Sequence, residues 1–113
     1  VQGMGWLTTE ELLWDDTGRL ISNSPANYKI PTAYDVPEKF SVQLYHEPNQ
    51  EKTIYQSKAV GEPPLMLALS VWCALRDAAA SFSDYQINPP MNAPATPEEV
   101  YYAINAAKEY STK

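Results

Sequence analysis

One carboxylate in this chain stands where its neighbours narrow its options: Glu62, in the run Ser57-Lys58-Ala59-Val60-Gly61-Glu62-Pro63-Pro64. The two prolines lack amide protons and hold φ fixed, so they restrict the residue before them and start a helix cleanly. Glu62 is thus predicted at the mouth of a helix, where the macrodipole favours the carboxylate. The apolar run that follows favours the neutral acid. Opposed pulls of that kind leave a carboxyl group able to take a proton near neutral pH, which is what a general base must do. A structural reading competes with this one. An acidic residue in a first helical turn stabilises by roughly 0.3 to 1 kcal/mol, and Lys58 stands near enough in sequence to pair with it.

A second group opens the chain. Val1-Gln2-Gly3-Met4-Gly5-Trp6 sets two glycines directly after an amide side chain. Such glycines either let backbone approach a ligand or let two elements pack closely, and a lone Gly-x-Gly does not discriminate between them. His46 is the only histidine and Cys73 the only cysteine, whereas a metal site needs several converging ligands. His46 therefore reads as a surface residue and Cys73 as core packing.

The elements that must position these groups follow from periodicity and capping. Leu65 to Leu75 is apolar except for Ser70, and the helix that contains it, running to about Phe82, is hydrophobic on every face until Arg76 and Asp77. A helix of that kind is buried on all sides, and the apolar run is shorter than the ~20 residues that a membrane span needs. Thr96-Pro97-Glu98-Glu99 predicts another helix, with Thr96 as N-cap, Pro97 in the first position and Glu99 closing a capping box. Val100, Ala103, Ile104 and Ala107 then fall on one face of that terminal amphipathic helix. Thr8 to Glu11 offers a further capping box.

Strand signals are shorter. Phe40, Val42 and Leu44 alternate with Ser41, Gln43 and Tyr45, the period of a half-buried strand, and Thr53 to Gln56 reads as a second one. Asp15-Asp16-Thr17-Gly18, between Leu13-Trp14 and Arg19-Leu20-Ile21, predicts a β-hairpin. Pro25, Pro31 and Pro37 hold the segment from Ser22 to Lys39 extended. Tyr28, Ile30 and Tyr34 anchor that segment on a body larger than this chain provides. The expected fold class is α+β: short strands with a hairpin, a buried central helix and a C-terminal amphipathic helix, together one piece of a larger domain.

Composition excludes several function classes. The 113 residues suffice for one core and not for two. The net charge is -6, and the eight basic residues are scattered, so nucleic acid and anionic membrane are poor partners. One cysteine allows no intrachain disulfide and suits a reduced, cytoplasmic setting. The chain begins with Val1 and shows no leader pattern there, which reads as a cut or truncated polypeptide.

The run Ser57 to Leu65, together with Val1-Gln2-Gly3-Met4-Gly5, Tyr28-Lys29-Ile30-Pro31-Thr32 and Ala93-Pro94-Ala95-Thr96-Pro97-Glu98, resembles the C-terminal end of the molybdenum-binding part of the xanthine dehydrogenase and aldehyde oxidase family. The likeness covers essentially the whole chain in order, and bacterial xanthine dehydrogenases are the branch it suggests. It implies a molybdenum hydroxylase that inserts water-derived oxygen into a purine such as xanthine or hypoxanthine, another N-heterocycle or an aldehyde. Glu62, in the Gly-Glu-Pro-Pro motif, would be the general base. Gln2 would hydrogen-bond the molybdopterin cofactor, with Gly3 and Gly5 allowing close approach. No residue here would ligate the metal, which the cofactor's dithiolene holds.

The resemblance further implies partners outside the chain. These are the upstream molybdopterin-binding portion, FAD and iron–sulfur clusters on other domains or subunits, and an oligomeric assembly. By itself the chain is expected to be inactive and to self-associate through its apolar helix. The rival expectation is a non-catalytic docking module that keeps the motif for packing alone.

Overall fold

The computed structural model describes residues 1–112. Its regular structure is helical: α1 (Gln2–Trp6), α2 (Glu62–Ala80) and α3 (Pro97–Ser111), with 3₁₀ turns at Ala33–Asp35, Ile54–Gln56 and Ser81–Ser83. α2 starts where its prolines predict, because the first amides of a helix have no intrahelical acceptor and Pro63 and Pro64 forfeit nothing there. It ends by tightening into the Ser81–Ser83 turn, closed by Asp84 in the left-handed region at φ 48°. Thr96 caps α3, its hydroxyl accepting from the Glu99 amide at 3.3 Å. The other half of the predicted capping box does not form. The Glu99 carboxylate instead accepts from the Asn92 amide at 2.8 Å and its side-chain nitrogen at 3.2 Å, because the Thr96 amide already donates to the Pro94 carbonyl at 2.9 Å.

The core is built of small side chains. Ala79 and Ala80 of α2 and Ala103 and Ala107 of α3 are buried, with Ala95, Pro89 and Leu7 beside them. Alanine faces let helices approach closely but remove little apolar area each. Longer side chains seal the edges. The Trp72 indole donates to the Asn92 carbonyl at 3.0 Å while Arg76 lies over its ring at 4.4 Å, and Lys108 lies over Phe82 at 4.9 Å.

The expected α+β architecture is not what forms. Among the described residues there is no strand and no sheet, only an isolated antiparallel bridge between Trp14 and Leu20. The chain does reverse at Asp15 to Arg19, with Gly18 at φ 81° and the Asp15 carboxylate accepting from Thr17 and Arg19. These hydrogen bonds, Thr17's hydroxyl first, hold the Asp15 carboxyl below its usual pKa. The ladder stops because a side chain takes the next place in it: the Leu13 amide donates to the Ser22 hydroxyl at 2.9 Å.

Phe40 to Tyr45 has the alternation of a strand but no neighbour, and a strand without a partner has no ladder to join. Its apolar residues lie in solvent, Leu44 at 77% exposure. Thr53 to Gln56 becomes a 3₁₀ turn, with Tyr55 and Gln56 at positive φ. The Thr8 hydroxyl closes the end of α1 by donating to the Met4 carbonyl at 2.7 Å and caps no helix.

The central helix is not buried either. Leu65, Met66 and Leu67 are 51%, 61% and 71% exposed, because among the described residues the helices packed on α2, α1 and α3, leave these side chains uncovered. Cys73 is likewise exposed. By length and composition alone, the continuous helical stretch Glu62–Ser83 could cross a membrane, but Arg76 and Asp77 fall within it and α1 packs across its first half.

Candidate functional site

α1 has five residues, and a single helical turn does not hold itself together. Contacts from elsewhere hold it. The Gly5 carbonyl accepts from the amides of Thr8, Thr9 and Glu10 at 3.0 to 3.1 Å, and the Leu7 carbonyl accepts from Ala95 at 2.7 Å. Across the chain, the Thr9 hydroxyl donates to the Lys29 carbonyl at 2.9 Å and the Tyr28 hydroxyl to the Glu10 carboxylate at 2.6 Å.

Both glycines of α1 are needed by this packing. A Cβ at Gly3 would lie 2.8 Å from the Ala68 Cβ and 3.2 Å from the Pro64 carbonyl oxygen. A Cβ at Gly5 would overlap the Glu10 carboxylate and the Pro31 ring. Gly3 therefore seats α1 on the opening turns of α2, and two motifs some sixty residues apart in sequence meet in space.

Gln2 is exposed at the outer end of α1. With Trp6, Glu10 and Ile30 it borders a cavity of about 330 Å³, and its amide makes no side-chain hydrogen bond among the described residues. A free amide both donates and accepts, as one edge of a pterin ring requires, so Gln2 fits that group.

Glu62 is the first residue of α2, two positions before the Pro64 carbonyl that Gly3 abuts. It is exposed. The pairing with Lys58 does not form: among the described residues the ion pairs are Arg19 to Asp15 at 3.4 Å and Lys29 to Asp35 at 3.1 Å. Gly61 sits at φ -70°, open to any residue, and a Cβ there would meet nothing within 4 Å. Neither backbone nor packing within the chain requires a glycine before Glu62. Among the described residues the carboxylate has no apolar enclosure, since Val60, Leu65 and Met66 nearby are all exposed.

Among the described residues no three His, Cys, Asp or Glu side chains gather as a metal site would need. His46 is exposed. Cys73 borders a cavity of about 430 Å³ with Arg76, Asp77 and Asn88. The Glu10–Tyr28 pair has no signal in the sequence, where Tyr28 reads as an apolar anchor, because its partners are 18 residues apart.

The molybdopterin cofactor-binding domain family matches residues 1–37. The chain is 45% identical over 103 residues to xanthine dehydrogenase/oxidase of Gallus gallus and 45% identical over 106 residues to aldehyde oxidase 2 of Mus musculus. It is 41% identical over 113 residues to xanthine dehydrogenase 1 of Arabidopsis thaliana. These alignments cover 88%, 91% and 91% of this chain, respectively, and the chain spans 8% of the length of each relative. By these alignments and the match over its first 37 residues, the chain is a segment of the xanthine dehydrogenase/aldehyde oxidase family of molybdenum hydroxylases.

Proposed function

We propose that residues 1–113 are the part of a molybdenum hydroxylase's molybdopterin-binding domain that supplies the general base, Glu62, and one cofactor contact, Gln2. The reaction is the hydroxylation of a purine such as xanthine or hypoxanthine, or of a related N-heterocycle or aldehyde, with oxygen from water. The observation that carries this reading is the seat of Gly3 on Pro64, which joins the Gln2 end of the chain to the turn that holds Glu62.

The cofactor, when bound, supplies the oxygen transfer and takes up the electrons. What falls to this chain is placement and one proton. Gln2 binds the pterin edge through its free amide, and Pro63 and Pro64 fix the backbone that carries Glu62. The Glu62 carboxylate has no ion-pair or side-chain hydrogen-bond partner among the described residues, so its oxygens are open to accept the proton lost as the new C–O bond forms. Gly61 leaves room beside it for a group from outside the chain.

The exposed Leu65, Met66 and Leu67 are covered, on this reading, by the rest of the enzyme, which also excludes water from the carboxylate. Protein, not lipid, is thus the partner of α2. FAD and iron–sulfur clusters on other domains or subunits pass the electrons onward. Cys73 has no disulfide partner within these residues, which suits a reducing cytoplasmic compartment.

Replacing Glu62 by Gln in the assembled enzyme preserves shape and removes the base. Activity falls by about 10² to 10⁴ with cofactor content unchanged. Near-normal activity would instead favour a docking module, the reading to which the exposed apolar face of α2 lends itself.

A further inference from the structure

We infer that the Tyr28–Glu10 hydrogen bond is a positioning device for the Gln2 contact, a role that rests on Gln2 reaching the cofactor as proposed above. α1 is one turn long, and its own bonds, such as Leu7 amide to Gly3 carbonyl at 3.3 Å, are at the weak end of the range. Its orientation is set from outside. After Trp6 the chain winds around the Gly5 carbonyl until Glu10 returns its carboxylate to the side of Gly5. There the Tyr28 hydroxyl donates to Glu10 Oε2 at 2.6 Å, a length typical of a charge-assisted bond. The adjacent Thr9 hydroxyl bonds the Lys29 carbonyl at 2.9 Å, so two successive side chains stitch residues 9–10 to 28–29.

Glu10 also borders the same cavity of about 330 Å³ as Gln2. One carboxylate therefore clamps the inner end of α1 while Gln2 rides on the outer end, roughly 4.5 Å further along the axis. Loosening the clamp at Gly5 tilts the turn and carries the amide away from its target. Tyr28 and Glu10 are positioning residues in this scheme, acting on the cofactor contact through the orientation of α1.

The test uses the assembled enzyme and two variants, Tyr28→Phe, which removes only the donor, and Glu10→Gln, which keeps an acceptor oxygen. Hydrogen exchange at the amides of Thr8, Thr9 and Glu10 reports the clamp, and pterin retained per folded protein reports Gln2. Tyr28→Phe should speed that exchange roughly tenfold and lower retained pterin severalfold, while Glu10→Gln keeps most of both. In a Gln2→Ala background Tyr28→Phe should cause no further loss of pterin. Unchanged exchange in Tyr28→Phe overturns the clamp, and an equal additional pterin loss in the Gln2→Ala background overturns its role in placing Gln2. A Gln2→Ala enzyme that keeps all its pterin overturns the cofactor contact itself, and with it the role of the clamp, whatever the exchange rates show.

Discussion

Gly3→Ala tests the contact that joins the two ends of the site. The new methyl would stand 2.8 Å from the Ala68 Cβ where ordinary contact begins near 3.4 Å, so α1 and α2 must part by about 0.6 Å or strain around the overlap. Ala68 is 4% exposed and cannot swing aside. Overpacking of this kind costs about 1 to 3 kcal/mol, and alanine recovers about 0.8 to 1 kcal/mol of helix propensity. The net expectation is a loss of about 1 kcal/mol, read from urea unfolding. Ala68→Gly removes the opposing methyl, so the double variant should be less destabilised than the two single variants together. The coupling should be ~1 to 2 kcal/mol, below the full overpacking cost because the Pro64 carbonyl, a backbone atom, remains 3.2 Å away. Additive effects, within ~0.5 kcal/mol, would refute the claim that α1 rests on α2 at this point, and with it the geometric link between Gln2 and Glu62.

Other consequences concern single groups. Thr96→Ala should destabilise α3 by about 0.5 to 1 kcal/mol in urea unfolding, the low half of the N-cap range, because the cap bond is long at 3.3 Å. The Thr32 amide and hydroxyl, then Lys29, hold the Asp35 carboxyl at a pKa of about 2, from an ordinary 3.8. A depressed folded pKa means a contribution fully present above about 3.8 and lost as pH falls through about 2. Carboxyl NMR titration should place Asp35 in that window, and Asp35→Asn should flatten the acid limb of the melting curve there.

The helices show how far local chemistry reaches. Thr96 and Pro97 start α3 where their residue types say, and Pro63 and Pro64 start α2, because capping and proline geometry act within one turn. Glu99 misleads: its carboxylate prefers the Asn92 amide, a partner the capping-box spacing cannot reveal. Phe40 to Tyr45 misleads for a related reason, since alternation specifies which face of a strand would be buried but not whether another strand lies beside it. The apolar faces of α2 call for cover on all sides, which a chain spanning 8% of the length of its relatives does not hold within itself.

The motif residues were legible as types: an acid held by prolines, an amide beside glycines, and a family likeness that ties them to one cofactor. Their arrangement was not. That Gly3 abuts Pro64, that Gly5 makes room for Glu10 and Pro31, and that Tyr28 reaches Glu10 are long-range facts. Residue types and spacing act through the backbone over a few positions, while a seat between two helices depends on atoms brought together only by the folded chain.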